Sequence, residues 1–373
     1  MKQGKLYKLG DICDFQGGSQ PPKQEWIRTP KEGYVRMLQI RDFTQSREFI
    51  IEYVKCSKKL RYCNEDDILI GRYGASVGKI LTGLGGAYNV AIIKTIPNEQ
   101  IITKAYIRRF FEGDVFQALL QKVCGQRTAQ AGFSKEDIVD CPIFVPSLSE
   151  QQRIVSLLDA EFAKIDALKA NAEKNLQNAK DLFQAALKKE LEPKEGWKKY
   201  SIKDVATLKA GKSFDKTDAV NVYKHGYFPC FGGNGQRGFV PYYNHDGKYN
   251  IIGRQGALCG NINVAEGKFY ATEHAVVVSP IIPIAFDFLY YLLVNANINQ
   301  YATGAAQPGI SVAHINEVLF LHIPNLQVQK SVVAHLETLK TCCNSLEANY
   351  EKTLSLCDDL KQALLRKAFN GEI

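Results

Sequence analysis

The chain has 373 residues, 45% of them hydrophobic and 23% charged, with a formal net charge of +8. It is long enough for two or more domains with proper cores, and no apolar stretch approaches the roughly 18 residues that would span a membrane. Ten cysteines are scattered without a C-x-x-C pair, which argues against a disulfide framework or a zinc site and for reduced, mostly buried thiols in a cytoplasmic protein.

The N-terminus, Met1-Lys-Gln-Gly-Lys, leads straight into a domain with no signal-peptide core. A segment marked by Leu9, Asp11, Ile12 and Gly18 opens the first half. The polar, glycine-rich stretch Gln16-Gly-Gly-Ser-Gln20 follows, then Pro21-Pro22-Lys23, and reads as a surface loop offering Gln16, Ser19 and Gln20. Arg36, Gln39 and Arg41, at near-alternate positions around a strand, form a polar edge. A short buried strand is predicted over Asp67–Ile70, and it runs into Gly71-Arg-Tyr-Gly-Ala-Ser-Val-Gly78. A helix is predicted near Thr103–Val123, followed by a loop with Arg127, Thr128 and Gln130 and by Gln130-Ala-Gly-Phe-Ser134.

From Ser149 the sequence turns helical to about Lys189. Ser149-Glu-Gln-Gln152 fits a capping box with Pro146 just outside. Apolar residues recur at three- and four-residue steps through Ile154, Leu157/Leu158, Phe162, Ile165, Leu168, Ala172, Leu176, Ala179, Leu182/Phe183 and Ala186. This is a single-striped helix of coiled-coil type, about 60 Å long.

Beyond Pro193, Glu195-Gly196 and Trp197 the landmarks return in the same order. Ile202, Asp204, Val205 and Gly211 repeat the opening segment; Gly253-Arg-Gln-Gly-Ala-Leu-Cys-Gly260 repeats the paired-glycine run, with a strand over Ala275–Val278 and a helix near Phe286–Ala296. Gln307-Pro-Gly-Ile-Ser311 and Ile323-Pro324 come next, before a second striped helix through Val332/Val333, Leu336, Leu339, Cys343, Leu346, Tyr350, Leu354, Cys357, Leu360 and Leu364/Leu365. A period this long is a duplicated unit, not a solenoid repeat. The expected fold is α+β: two globular domains related by internal duplication, at 1–147 and 193–325, joined by two long antiparallel coiled-coil helices at 148–192 and 326–373. The first helix leads from one domain to the other, so the second must run back to bury its stripe against it. The expected shape is a dumbbell.

Charge is uneven. The two helical stretches hold seven Lys/Arg against eight Asp/Glu and six against six, which leaves an excess of nine positive charges on the globular segments. Paired basic modules on neutral helices suggest a polyanion touched at two places, with solubility charge as the plain alternative. The helical spacer would reach between sites more than one turn of duplex DNA apart.

The run Val145-Pro-Ser-Leu-Ser-Glu-Gln-Gln-Arg-Ile-Val155, then Leu157-Leu158-Asp159, resembles the start of the conserved helix of type I restriction-modification specificity subunits. So does the ending Leu364-Leu-Arg-Lys-Ala-Phe-Asn-Gly-Glu-Ile373. The second helix departs from the pattern at Val328, where the first has Glu150, and its cap is expected to be weaker. The resemblance implies a non-catalytic subunit without cofactor of its own. Its two target recognition domains would each read half of a bipartite sequence in double-stranded DNA. The helices would set the gap and dock methyltransferase subunits and, through them, restriction subunits.

Enzymatic readings fail on spacing. Gly211-Lys212-Ser213 lacks the leading glycine of a P-loop, because position 206 is alanine, and Gly74-Ala-Ser-Val-Gly78-Lys79 is one residue short and followed by Ile80. No Asn-Pro-Pro-aromatic run, nuclease carboxylate set or metal-spaced histidine pair is present, and His274 beside Ala275-Val-Val-Val278 reads as a satisfied core histidine.

The candidate contacts to DNA lie in the loops. Arg72 and Arg254 could meet phosphate or fork onto guanine, or the glycine runs could be structural turns with locally paired arginines. Their neighbours Tyr73 and Gln255 differ between copies, as residues reading different bases would. Lys79 and Lys212 stand beside these loops. Gly232-Gly-Asn-Gly-Gln-Arg237 offers Asn234, Gln236 and Arg237, suited to adenine and guanine edges, and Gln307 repeats Gln130. The alternative is a two-headed adaptor for a ligand other than nucleic acid.

Overall fold

A computed structural model describes residues 4–45, 50–125, 132–256, 258–304 and 308–373, with the side chain of Lys216 left aside. The chain divides into two compact units, one formed by Met1–Glu173 with Glu351–Ile373 and the other by Lys174–Tyr350.

In the first unit, β1 (Gly4–Lys8), α1 (Leu9–Ile12) and β2 (Cys13–Gly17) lead to β3 (Tyr34–Leu38), α2 (Ile40–Thr44), β4 (Tyr53–Lys55) and β5 (Tyr62–Cys63). Next come β6 (Leu69–Gly71), β7 (Ile80–Leu81), β8 (Gly86–Tyr88) and β9 (Ile92–Pro97). The helices α3 (Lys104–Glu112) and α4 (Asp114–Gly125), the strand β10 (Pro142–Pro146) and the long α5 (Leu148–Glu190) complete the order. The strands pair as β1-β10, β2-β9-β6-β7 and β4-β3-β8-β5. All neighbours are antiparallel except β3 and β8.

The second unit repeats this scheme. Its elements are β11 (Lys198–Ser201), α6 (Ile202–Val205), β12 (Ala206–Ala210), β13 (Phe228–Gly232), β14 (Gly235–Val240), β15 (His245–Asp246), β16 (Tyr249–Gly253), β17 (Ile262–Ala265), β18 (Lys268–Ala271) and β19 (Ala275–Pro280). Then follow α7 (Phe286–Asn295), α8 (Val312–Val318), β20 (Phe320–Ile323) and α9 (Leu326–Phe369). The strand orders are β11-β20, β12-β19-β16-β17 and β14-β13-β18-β15, again with one parallel pair, β13 and β18. The duplication seen in the sequence is therefore a duplication of topology, strand for strand.

Both long helices are shared between the units. In the first, Ile154, Leu158, Phe162 and Ile165 of α5 join one buried cluster with Cys357, Leu365 and Ala368 of α9, and with Tyr106, Phe110 and Phe111 of α3. Lys169 pairs with Asp358 at 2.7 Å and Asp166 with Lys361 at 2.5 Å, so these segments run antiparallel. In the second unit Leu187 and Leu191, at the end of α5, are buried with Val332 and Leu336 near the start of α9, beside Phe288, Leu289 and Tyr291 of α7. Each helix thus closes one domain's core with its first turns and the other domain's core with its last.

Several expectations need correction. The cap of α5 is Ser147, whose Oγ accepts from the Glu150 N–H at 3.4 Å; Ser149 lies inside the first turn. The second helix is not poorly capped, because Asn325 Oδ1 accepts from the Val328 N–H at 3.0 Å. Leu168, Leu346 and Leu360, expected in the apolar stripe, are about half exposed. The predicted helix near Thr103–Val123 is two helices broken at Gly113, where a Cβ would sit 3.3 Å from the Phe110 carbonyl.

The repeated glutamine after each Val-Pro or Ile-Pro has a structural role that neither capping nor periodicity suggests. Gln151 is fully buried; its Oε1 accepts from the N–H of Thr103, the N-cap of α3, and its Nε2 donates to Ile101 O and Pro146 O. Gln329 likewise accepts from the N–H of Ala285, the N-cap of α7, and donates to Pro324 O. Each glutamine pins its long helix to its domain by satisfying backbone groups that burial would otherwise leave unpaired. All ten cysteines are free and seven are buried.

Candidate nucleic-acid interface

The two paired-glycine runs fold into the same closed turn. In the first, Gly71 N–H donates to Lys79 O and Gly78 N–H to Gly71 O, both at 2.9 Å; in the second, Gly253 donates to Asn261 O at 2.9 Å and Gly260 to Gly253 O at 2.7 Å. Gly74, Gly78, Gly256 and Gly260 all take positive φ, which glycine alone adopts without strain. A Cβ at Gly71 would lie 2.1 Å from Ser76 O, and one at Gly253 would lie 1.8 Å from Gly233 O. The glycines are thus required by the turn and by its close approach to neighbouring backbone, and several of its amides are spent on internal hydrogen bonds.

The second landmark docks on the first. Gly132 bridges Tyr73, Gly309 bridges Gln255, and the N–H groups of Phe133 and Ile310 donate to the carbonyls of Arg72 and Arg254. The two arginines then differ. Arg72 Nε donates to Phe133 O at 2.7 Å and its guanidinium lies 5.2 Å from the Tyr73 ring, against Gly17. Arg254 Nε is buried and has no partner among the described residues.

In the second domain four of the predicted contacts converge. Asn234, Gln236, Arg237 and Gln255 line one open cleft of about 710 Å³, together with Phe214, Cys230, Glu273 and His274. The tight turn from β13 to β14 presents Asn234, Gln236 and Arg237 as exposed side chains. Arg237 is steered by Gly232, where a Cβ would collide with its Cδ at 2.3 Å. Lys212 is also exposed, with its N–H fixed on Ala271 O. Burial pushes the Cys230 thiol up to about 11, so the cleft holds no thiolate nucleophile.

Glu273 and His274 carry no signal in the linear sequence beyond an apolar neighbourhood, and here expectation fails. His274 is not a satisfied core residue: Nε2 lies 3.3 Å from Glu273 Oε1, while Nδ1 is without a partner among the described residues, as is Glu273 Oε2. Arg254 Nε and Asn263 Nδ2 are in the same condition, so half of the eight such atoms belong to this one neighbourhood. An unpaired buried polar group costs about 1–3 kcal/mol.

In the first domain the corresponding side chains bind one another. Arg36 pairs with Asp42 at 2.6 Å; Glu52 receives Arg41 at 2.6 Å, Lys23 at 2.7 Å and Gln39 Nε2 at 2.9 Å. Burial would raise the Glu52 carboxyl, but hydrogen bonds from Lys23 and Gln39 hold it below the usual range. Gln16 Oε1 accepts from the Tyr88 hydroxyl at 3.1 Å, and Ser19 Oγ from the Arg61 N–H at 3.1 Å. Gln20 and Lys79 are exposed and Tyr73 half-buried. Arg127, Thr128, Gln130 and Gln307 lie outside the described residues. No group of side chains able to hold a metal ion occurs among the described residues, and no helix is long and apolar enough to cross a membrane.

The sequence pattern of the type I restriction modification DNA specificity domain matches residues 1–178 and again 194–356. The chain belongs to that family. It is 41% identical over 150 residues to the type I restriction enzyme EcoprrI specificity subunit of Escherichia coli, covering 40% of this chain and 37% of that one. Over 117 residues it is 30% identical to a putative type I restriction enzyme specificity subunit of Haemophilus influenzae, covering 31% and 30%. The matches thus span about a third of the length of these curated relatives. A chain solved in work on complex assembly and conformational transition of the type I R-M system superposes with a TM-score of 0.83 at 17% identity, covering 100% of this chain and 98% of that one. The crystal structure of the HsdS subunit from Thermoanaerobacter tengcongensis gives 0.59 at 17% identity, covering 99% and 97%. At that identity the superpositions establish the fold, in its full two-domain, two-helix order.

Proposed function

We propose that this chain is the non-catalytic DNA-specificity subunit of a cytoplasmic type I restriction-modification complex, each domain reading one half of a bipartite target. The four functional parts are the recognition domains 1–147 and 193–325 and the spacer helices 148–192 and 326–373. One observation carries the reading: two domains of identical topology hold the same glycine turn in the same frame while the exposed side chains around it differ. Identical backbone corners, fixed by the same hydrogen bonds, make Ser19 correspond to Lys212 and Tyr73 to Gln255. A constant frame with variable tips is what two different half-sites require.

In the second domain Asn234, Gln236, Arg237, Arg254 and Gln255 supply base contacts and Lys212 a phosphate contact. In the first, Arg72, Tyr73, Lys79, Gln16, Ser19 and Gln20 do so, with Arg36, Gln39 and Arg41 held ready in the Glu52 and Asp42 network. At about 1.5 Å per residue, the 43 residues of α5 give a ruler of about 65 Å, nearly two turns of duplex. Leu157, Leu168 and Leu182 recur on one face of α5 with 38%, 51% and 51% exposure, a surface for methyltransferase subunits and, through them, restriction subunits.

The test is binding of duplex DNA by the assembled complex across a salt series. Sequence-selective affinity that falls steeply with ionic strength is expected, since Lys and Arg displace condensed counterions. Binding indifferent to both sequence and salt would favour an adaptor for some other ligand.

A further inference from the structure

We infer that Glu273 and His274 make the second domain selective, at one position of its half-site, for a base that presents an exocyclic amino group in the major groove. This rests on the reading of the cleft as a DNA-contacting surface. A carboxylate facing a polyphosphate is repelled unless it accepts a hydrogen bond. In the major groove the donors available to it are cytosine N4 and adenine N6; guanine and thymine present O6 and O4 acceptors there and are rejected.

The geometry prepares such an acceptor. His274 Nε2 stands 3.3 Å from Glu273 Oε1, and the Glu273 side chain, 43% exposed, lines the cleft with Asn234, Gln236 and Arg237. The corner holding the pair is rigid. Thr272 N–H donates to Phe231 O, Ala275 N–H to Thr272 O, and Arg254 N–H to His274 O at 3.0 Å. The position is thus tied to the glycine turn, not to a free loop.

The first domain builds the same corner from Asn89, Val90 and Ala91. Ile92 N–H donates to Asn89 O and Arg72 N–H to Ala91 O at 2.8 Å, but no acceptor side chain stands where Glu273 and His274 do. Amine selection of this kind therefore belongs to the second half-site alone.

The experiment maps adenine methylation genome-wide for the full complex carrying the wild-type chain, Glu273→Gln, Glu273→Ala or His274→Ala. Glu273→Ala is expected to relax one position of the second half-site from cytosine or adenine, whichever the wild-type motif shows, with preference falling about fivefold or more. The first half-site and the gap stay unchanged. The near-isosteric Glu273→Gln adds an N–H donor beside the acceptor, is expected to admit guanine or thymine at that position, and carries the test if the alanine variant does not assemble. Val90→Glu is the converse, expected to alter only the first half-site. An unchanged motif in assembled Glu273 variants, or a uniform drop at every site without relaxation, would overturn the inference. A wild-type complex that yields no split motif would instead fail the underlying reading of the chain.

Discussion

The two domains share every strand pairing and differ in what their loops do with polar side chains. The first spends them internally: Glu52 gathers Lys23, Gln39 and Arg41, Asp42 holds Arg36, and Arg72 is tied to Phe133 O. The second leaves Asn234, Gln236 and Arg237 exposed around a cleft and leaves Arg254 Nε, Glu273 Oε2 and His274 Nδ1 without partners among the described residues. The difference begins in the chain between paired strands. β13 turns directly into β14, whereas β3 and β4 are separated by α2 and a longer connection that brings in Glu52. On the proposed function, a duplicated frame would hold one reading surface ready-made and another that exchanges internal ion pairs for contacts to DNA.

The largest effect that would break the common frame is at its glycines. Gly253→Ala or Gly71→Ala drives a Cβ into a backbone carbonyl that cannot move aside, and a loss of about 3 kcal/mol is expected in each domain, read by denaturant unfolding. Equal tolerance to Ala at both positions would remove the turn from the account. Next come the two pinning glutamines. Gln151→Ala frees three buried backbone partners and Gln329→Ala two, each worth about 1–3 kcal/mol before water relieves it. The first substitution should therefore cost more, in a side-by-side melt.

The arginines sharpen the comparison at intermediate size. Arg72→Ala removes a hydrogen bond that the fold uses and should cost about 1 kcal/mol in stability as well as first-half-site recognition. Arg254→Ala should leave stability within about 0.5 kcal/mol while relaxing the second half-site. The reverse ranking in melts and methylation maps would contradict the division of roles. The smallest effect concerns acid. Glu52 is held below its ordinary value in the folded state, so its contribution is present above the unfolded carboxylate pKa and is lost as pH falls through the lower folded one. Trp26, with Lys23 3.7 Å above its ring, should report loosening of the first domain below about pH 4.5, where unfolded-state glutamate begins to protonate. Glu52→Gln should abolish that change, and the same transition surviving in it would place the titration elsewhere.

Much of the fold was legible because its signals are local. Glycine spacing marks the turns, and the three-and-four-residue recurrence marks α5 and α9, so duplication, domain order and helix direction follow from the chain alone. What was not legible depends on residues distant in sequence. Gln151 looks like part of a capping box until Thr103 and Ile101 are placed beside it. Gly113 breaks a continuous apolar pattern into two helices, and Leu168 fits the periodic stripe yet faces outward. The site divides the same way. Arg72, Arg254 and the Gly232–Arg237 turn announce themselves by composition. Asp42 and Glu52 engage the first domain's candidates from only 6 and 11 residues beyond Arg36 and Arg41, yet no local pattern announces them, while Glu273 and His274, which complete the second domain's cleft, become visible only when strands far apart in sequence are brought together.

The most direct test of the two-reader account is single-molecule sequencing of methylated adenine in cells expressing this chain with the type I methyltransferase subunit that the account proposes as its partner, set against cells expressing the methyltransferase alone. The account predicts a split motif, two short specific halves with a fixed gap, appearing only when the chain is present. An assembled complex that methylates without such a motif, or a motif with one continuous half, would contradict it.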